Sequence, residues 1–367
     1  MRDQIVLPIS LLTRSTFLVL AVTSLTACQY LANLRLFGDA EESTLPIKPR
    51  PTQLRPVLMN VFRLYKDSDV VGQVQTVIAH HEDTLFDIAR RYDVGINEIT
   101  EANPGIDKWL PGEGVRVTLP TQFILPDAPR RGIVLNLAAM RLFYYPKPRQ
   151  GETPVVITHP IGIGRENWST PTGLTKVIKK VTDPTWIVPA SIRKEHAKGG
   201  EHLPAVVLPG PDNPLGTHVL RLGLRAYLIH GTNKPAGIGM RISHGCIQLY
   251  PEDIKTLFER VPVGTPVRII NRPYLAGWKE GVLYLEAHRP LEEQARAWGD
   301  SLKPMIQTVK KAAAKRSGRV GATIDWDLAE QAAKSAQGIP RPISTADSYL
   351  SSRERCSDSD PTDDHLC

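Results

Sequence analysis

Two histidines and one cysteine lie close together in a glycine-rich stretch, residues 227–250, and these residue types could perform nucleophilic chemistry. Cys246 would supply a sulfur nucleophile, which attacks as a thiolate, whereas a free thiol has a pKa of about 8.5. An imidazole of His230 or His244 within hydrogen-bond reach could take the thiol proton. Lowering the thiol pKa by about 2 units in this way would correspond to ~2.7 kcal/mol. The stretch therefore predicts a cysteine nucleophile with a histidine base.

The residues around this pair could support the reaction. Glycine lets a backbone turn sharply and bring N–H groups to a developing oxyanion, a contribution of ~3–4 kcal/mol. We therefore predict oxyanion or supporting positions at Gly245, Ser243 and Gly231. His244 is expected to line the pocket or support the thiolate, because it lies on the same side as Cys246 if the turn is strand-like. The structural alternative is a buried, inert thiol beside satisfied polar histidines.

The order His230-Gly-Thr and then Ser-His-Gly-Cys246 resembles the signature of the L,D-transpeptidase (YkuD-domain) family. The resemblance implies that Cys246 forms a thioester on a tetrapeptide stem of peptidoglycan, releases D-alanine, and passes the acyl group to an amine. His230 is preferred over His244 as base and then acid. Substrate binding is assigned to Arg241 and Gln248, although relatives usually carry Asn or Arg at the position of Gln248. Glutamine keeps the amide but cannot supply a guanidinium fork.

Three other functions are compatible with parts of this pattern. A hydrolase of the same fold would use the same thioester with water as acceptor. A non-catalytic glycan-binding lipoprotein is disfavoured by the intact His230–Cys246 pair. Other cysteine peptidases of the cell wall usually place Cys before His, the reverse of the order here. No cofactor and no metal site are expected, because the remaining histidines do not cluster with carboxylates at ligand spacing.

The residues that position this pair form a domain predicted at 130–271, in which periodicity is mostly two. Ile133, Leu135 and Leu137 alternate, and further strands are expected at 142–145, 155–161, 176–181 and 218–229, with one helix at 251–260. We predict a mainly β fold, a β-sandwich or barrel with one helix. The resemblance extends to motifs at 160–164, 170–173 and 184–186, and the Gly- and Pro-rich loop 190–216 is a candidate lid.

A smaller α+β unit is predicted at residues 73–121. A strand at 75–80 precedes a helix capped by Asp83 or Thr84, then a second short helix that ends at Asn103, then an alternating strand at 115–119. This βααβ order resembles a LysM domain, which implies binding to peptidoglycan glycan through N-acetylglucosamine. The alternative is a packing domain without a ligand.

The N-terminus is typical of an exported lipoprotein. Residues 1–27 carry basic residues and then a short apolar run, and 25–28 resemble a lipobox ending at Cys28. Cys28 would be lipidated, and Gln29 after it implies sorting to the outer membrane, so that the enzyme faces the cell wall from the periplasm. An ordinary signal peptide is the alternative. Residues 28–72, with recurring prolines, are expected to form a tether, to which residues 57–65 could add a strand. An outer-membrane lipoprotein is a possible acceptor.

The rest of the chain carries less information. The net charge of +7 over 367 residues is spread out, and no basic–aromatic patch indicates nucleic acid. Residues 272–340 are a C-terminal extension with a strand at 281–286, an amphipathic helix marked by Leu291, Ala295, Trp298 and Leu302, and a second helix at 324–337. Residues 341–367 are expected to be a disordered tail, in which Cys356 and Cys367 could equally pair or stay free.

Overall fold

A computed structural model describes residues 60–315 and 323–345. The predictions for the signal segment, Cys28, Cys356 and Cys367 lie outside these residues. No helix in the described ranges is long and apolar enough to cross a membrane. The strands are β1 Asn60–Arg63, β2 Val70–Gly72, β3 Gln75–Ile78, β4 Arg116–Leu119, β5 Gln122–Ile124, β6 Gly132–Asn136, β7 Arg141–Tyr145, β8 Val155–Pro160, β9 Ile163–Gly164, β10 Gly173–Thr182, β11 Trp186–Ile187, β12 Val206–Val207, β13 His218–Leu222, β14 Leu228–His230, β15 Arg241–Ser243, β16 Ile247–Gln248, β17 Pro266–Ile270, β18 Tyr274–Lys279, β19 Val282–Ala287 and β20 Arg341–Pro342. The helices are α1 Leu85–Arg91, α2 Ile96–Ala102, α3 Ala190–Lys198, α4 Pro251–Arg260, α5 Glu292–Trp298, α6 Lys303–Ala314 and α7 Trp326–Ser335.

A nine-stranded sheet forms the centre of the catalytic region, in the order β1-β8-β7-β6-β17-β10-β13-β14-β16. Neighbouring strands are antiparallel except for the pairs β6–β17 and β14–β16. Strands β6 and β7 are buried along their whole length. Alternate side chains enter two different cores, Ile133 and Leu135 on one face and Val134 on the other. The period of two in the sequence therefore reflects a sheet covered on both faces, and the predicted mainly β fold is confirmed.

Two local features differ from the sequence prediction for this region. The segment 190–216, predicted as a loop, begins with the helix α3, so the region holds α3 as well as the predicted α4. Of the nine residues of α3, only Ile192 is buried, which is why no apolar period marks the helix in the sequence. The predicted strand at 218–229 is two strands, β13 and β14, which pair as a hairpin.

The LysM region has the predicted βααβ order, with β3 and β4 paired antiparallel. Of the two candidate caps, Thr84 begins α1. Its side chain accepts from the Asp87 N–H, and the Asp87 carboxylate accepts from the Thr84 N–H. This reciprocal capping box satisfies two helix donors at once. Leu85, Ile88 and Ile99 are fully buried between the helices and the two strands.

The predicted tether, 28–72, is too long at its C-terminal end. Strand β1 adds to the edge of the central sheet beside β8, and β2 pairs with β5. The first of these strands lies within residues 57–65, where the sequence predicts a strand, although only its first residue, Asn60, is buried. Residues 60–72 therefore belong to the folded part of the chain.

The C-terminal extension forms a small three-stranded sheet, β18-β19-β20, covered by α6 and α7. The prediction of a single amphipathic helix around residues 291–302 is wrong. The segment is divided between two helices, α5 and α6, which are separated at Gly299, where φ is +55°. The helix predicted at 324–337 is confirmed as α7. The predicted disordered tail begins too early, since Ile343 is fully buried and Leu285 pairs with Arg341.

Buried polar groups join the LysM region to the catalytic sheet. The Arg141 Nε and Nη2 atoms each donate to a Glu98 carboxylate oxygen at 2.7 Å, and the two side chains are 1% and 7% exposed. Asn60 donates through Nδ2 to the Asp93 carbonyl, and Tyr250 donates to the Val94 carbonyl. A buried ion pair of this kind fixes the geometry of the two regions because neither charge can be left alone.

Candidate active site

Strands β14 and β16 bring the predicted nucleophile and base to one face of the central sheet. The two strands are parallel, with Ile229 opposite Ile247 and His230 opposite Gln248. Ile229 and Ile247 both point into the main core and are almost fully buried. Side chains alternate along a strand, so His230, Gln248 and the preceding Cys246 lie on the opposite face. The Cys246 thiol reaches the Ala226 carbonyl at 3.7 Å on that face.

The Ser-His-Gly loop before the cysteine is held by a chain of hydrogen bonds. The Ser243 hydroxyl donates to the Cys246 carbonyl at 2.6 Å and accepts from the Gly245 N–H at 3.1 Å. Thr170 donates to the Gly245 carbonyl at 2.9 Å and accepts from the Gly164 N–H. Ser243 and Thr170 thus fix both sides of Gly245. The second of them lies in the motif at 170–173, but its role as a support was not predicted.

The position of Gly245 explains why glycine precedes the nucleophile. Its φ is +103°, and a Cβ atom there would lie 2.9 Å from the Tyr227 ring. The sequence prediction placed Gly245 among the oxyanion positions, yet its N–H already donates to the Ser243 hydroxyl. The Cys246 N–H has no partner within the described ranges, which leaves this amide as the donor available to an oxyanion.

His230 is oriented by the residue that follows it. Its Nδ1 lies 2.6 Å from the Gly231 carbonyl, which can only accept, so Nδ1 carries the proton and Nε2 has the free lone pair. A Cβ atom on Gly231 would come within 3.0 Å of Ile254, so the close packing here requires glycine. Sequence reasoning placed Gly231 among the oxyanion and supporting residues without identifying its carbonyl as the acceptor for the imidazole.

The protonation states of the pair differ from the sequence expectation. Burial raises the pKa of the Cys246 thiol to about 11, against a smaller opposing effect of a hydrogen bond from the Leu228 backbone. Burial also lowers the pKa of His230 to about 4, which the nearby Gly231 and Leu215 carbonyls only partly offset. At neutral pH the resting pair is therefore a neutral thiol and a neutral imidazole. If Cys246 attacks as a thiolate, its proton has to pass to a base, and His230 is the predicted one.

This neutral resting pair predicts how alkylation of Cys246 depends on pH. Because only the thiolate reacts and its pKa is about 11, the rate with iodoacetamide should rise about tenfold per pH unit from pH 6 to 9. Peptide mass spectrometry resolves Cys246 from the other cysteines, and free cysteine in the same tube, with a thiol pKa of about 8.5, should begin to level off by pH 9. A Cys246 rate that is constant above pH 6 would instead indicate a preformed thiolate–imidazolium pair.

His244 contacts a different set of residues from those near Cys246. His244 was expected on the same side as Cys246 if the turn were strand-like. Gly245 between them has a positive φ, so the side chains do not alternate as they do in a strand. The His244 Nε2 atom lies 2.7 Å from Arg165 Nη2 and 3.2 Å from Glu195 Oε2. The ring also meets the Trp168 ring edge to face, with centroids 5.0 Å apart. Arg165, Trp168 and Glu195 are site residues that sequence reasoning missed, although Glu195 lies in the predicted lid.

The two residues predicted to bind substrate differ in availability. Gln248 exchanges backbone hydrogen bonds with Gly162 at 2.9 Å, and its buried Oε1 has no partner in the described structure. Arg241 is 11% exposed and forms ion pairs with Glu292 and Glu293 of α5. Its guanidinium is therefore engaged by the C-terminal extension, and substrate binding by Arg241 stays a prediction.

One histidine does cluster with carboxylates, contrary to the sequence expectation. His159 Nδ1 lies 3.1 Å from Asp93 Oδ2 and 3.4 Å from Asp253 Oδ1, and all three side chains are deeply buried. Burial raises the pKa of Asp93 to about 7 and that of Asp253 well above its usual range, and these two carboxyl groups share a hydrogen bond. Protons held on these two carboxyl groups therefore reduce the negative charge that is buried here. The three residues come from distant segments, so spacing could not reveal them.

Comparison with known proteins agrees with this geometry. The model of the L,D-transpeptidase catalytic domain (YkuD) matches residues 130–269, and the LysM domain model matches residues 81–108. The protein described as probable L,D-transpeptidase YbiS from Escherichia coli (strain K12) is 43% identical over 278 residues, 74% of this chain and 88% of that protein. Probable L,D-transpeptidase YcfS from the same strain is 38% identical over 310 residues, 83% of this chain and 91% of that protein.

A third relative, probable L,D-transpeptidase ErfK/SrfK from Salmonella typhimurium (strain LT2), is 42% identical over 287 residues, 76% of this chain and 88% of that protein. The chain therefore belongs to the L,D-transpeptidase family and is an enzyme with a YkuD catalytic domain and a LysM domain.

Proposed function

We propose that the enzyme joins peptidoglycan stem peptides, or a wall-anchored protein, through a thioester on Cys246. The donor is a tetrapeptide stem, cleaved between its third residue, a diamino acid, and the terminal D-alanine. The observation that carries this proposal is the alignment of His230 and Cys246 on one sheet face, with the His230 Nδ1 proton directed to Gly231 at 2.6 Å. That arrangement leaves Nε2 as a base for the thiol.

The reaction proceeds in two acyl transfers. His230 Nε2 takes the thiol proton while the Cys246 sulfur bonds to the donor carbonyl carbon, and the Cys246 N–H donates to the resulting oxyanion. The carbon–nitrogen bond to D-alanine then breaks, and the imidazolium gives its proton to the departing amine. An acceptor amine attacks the thioester, loses a proton to His230, and displaces the sulfur, which recovers its proton. Each proton taken is returned, so no other group is consumed.

The LysM region is proposed to hold the enzyme on glycan that contains N-acetylglucosamine. An aromatic pair supports this: the Phe86 and Trp109 rings lie 4.6 Å apart, and Trp109 is 57% exposed beside the exposed Leu110. An exposed tryptophan offers a flat apolar face and an N–H donor, which suits a sugar ring. Binding there would raise the local concentration of stem peptides at Cys246.

The proposed place of action is the periplasm, with the enzyme anchored in the outer membrane through lipid on Cys28. The support is the apolar run before the lipobox-like residues 25–28 and the Gln29 that follows. Several acyl chains would give stable attachment where one would not. From this position the acceptor amine could belong to a neighbouring stem or to a lysine of an outer-membrane lipoprotein. Water as acceptor would make the enzyme a hydrolase.

Product analysis distinguishes these acceptors. The full chain is incubated with tetrapeptide-bearing disaccharide, with and without a lysine-containing peptide, and the products are identified by mass spectrometry. We expect a cross-linked product that has lost one D-alanine, formed by the wild type and absent for Cys246→Ala. Tripeptide alone would identify hydrolysis, and unchanged substrate in every mixture would contradict the proposed function.

A further inference from the structure

The guanidinium of Arg165 lies beside the Ser-His-Gly loop, and only some of its N–H donors are hydrogen-bonded. Its backbone N–H donates to the Ser243 carbonyl at 3.1 Å, which ties the residue to the loop. Its Nη2 donates to Glu195 Oε1 at 2.5 Å and contacts His244 Nε2 at 2.7 Å. The neighbouring Nε atom is buried and has no hydrogen-bond partner among residues 60–315 and 323–345. One donor of the edge formed by Nε and Nη2 is therefore unmatched.

Other arginines of this chain show what a matched edge looks like. Arg90 donates from Nε and Nη2 to the two oxygens of Glu252 at 2.7 and 2.9 Å, and Arg141 does the same to Glu98 at 2.7 Å twice. A carboxylate that binds both donors of this edge is the geometry arginine favours. Glu195 satisfies only one of them at Arg165, so it is a poor occupant of that edge.

The second oxygen of Glu195 is also badly placed. Arginine can only donate, so the His244 Nε2 atom, 2.7 Å from Arg165, is the unprotonated nitrogen of its ring. Glu195 Oε2 then faces a lone pair at 3.2 Å rather than a donor. The helix α3 that carries Glu195 buries only Ile192, so few contacts hold this carboxylate in place.

From these contacts we propose that Arg165, supported by His244, binds a carboxylate of the donor stem peptide, and that Glu195 occupies this position in the resting enzyme. This inference rests on the proposed function. A donor carboxylate would engage both Nε and Nη2, displace Glu195, and move α3 aside, which couples substrate entry to the opening of the predicted lid. The donor carries two candidate carboxylates, one on the terminal D-alanine and one on the side chain of the diamino acid.

Calorimetry on the full chain in detergent tests this assignment without requiring turnover. In a Cys246→Ala background, we measure the Kd of three donors: the free diacid, the donor amidated at D-alanine, and the donor amidated at the diamino acid. Arg165→Gln should raise the Kd of the diacid about tenfold or more, as expected for a charge-assisted bond. Glu195→Gln should lower the same Kd several-fold. Lys194→Gln, a charge change at an exposed position of α3, should leave it unchanged.

The amidated donors identify the bound group. One of the two amidated donors should bind wild type more weakly than the diacid does, and its Kd should not change in Arg165→Gln. The carboxylate that is amidated in that donor is the one that Arg165 binds. If all three donors bind equally to wild type and Arg165→Gln, the inference is overturned. If Glu195→Gln weakens binding of the diacid, Glu195 is a substrate contact and not a resting occupant. Because these are binding measurements, they can fail while the product analysis above succeeds, and the reverse.

Discussion

Replacing His230 with asparagine is expected to slow formation of the Cys246 thioester by about 10³-fold or more. The amide of the asparagine can still donate to the Gly231 carbonyl, which accepts from His230 at 2.6 Å, but it has no basic nitrogen for the thiol proton. Since burial raises the pKa of the Cys246 thiol to about 11, almost no thiolate exists at neutral pH without a base. Release of D-alanine in a single turnover measures the effect.

His244→Asn is the matched comparison, because the second histidine lies two residues from Cys246. Its Nε2 atom is already engaged by Arg165, and we expect a loss of at most about tenfold, expressed in KM more than in kcat. Circular dichroism should show that both variants are folded. A larger kcat loss for His244→Asn than for His230→Asn would reverse the assignment of the base.

Replacing Glu98 with glutamine should lower the free energy of unfolding by about 3–5 kcal/mol. The change leaves the Arg141 charge, whose side chain is 1% exposed, without its carboxylate in the interior between the LysM region and the sheet. A guanidinium cannot shed its proton to escape burial, so the structure must open or admit water. Urea unfolding followed by tryptophan fluorescence measures the loss.

Glu252→Gln provides the control, because it removes a carboxylate that binds Arg90 through the same two-donor geometry. Here the two side chains are partly exposed, 26% and 27%. Water can solvate the remaining arginine there, and we expect a cost of about 1 kcal/mol or less. Equal costs for the two variants would show that the buried pair does not hold the two regions together.

The parts of the fold that the sequence predicted are those with local signals. Ile133 and Leu135 alternate because one sheet face needs them, and Thr84 and Asp87 begin a helix through bonds that span three residues. For the edge strand β1 the sequence predicts a strand at residues 57–65 but not its partner, because an edge strand with one buried residue, Asn60, needs no apolar period. Its place is set by pairing with β8, almost a hundred residues away, near Thr158.

The same distinction applies to the site. The order of His230, Gly245 and Cys246 could be read from a motif, since these residues need fixed local geometry. Their protonation states could not, because the pKa of a thiol depends on burial by residues from other segments. Nor could the sequence show that Arg241 pairs with α5 while Arg165 faces the loop, since both are isolated arginines beside glycine-rich turns or strands.

The covalent intermediate is the most direct test of the account. The full chain is mixed with tetrapeptide-bearing disaccharide in the absence of any acceptor amine, quenched in acid within seconds, and digested for mass spectrometry. We expect the peptide containing Cys246 to carry the donor acyl group minus D-alanine. Hydroxylamine should remove this group, and Cys246→Ala should show none. D-alanine released by the wild type with no acyl group on Cys246 would contradict nucleophilic catalysis by this residue.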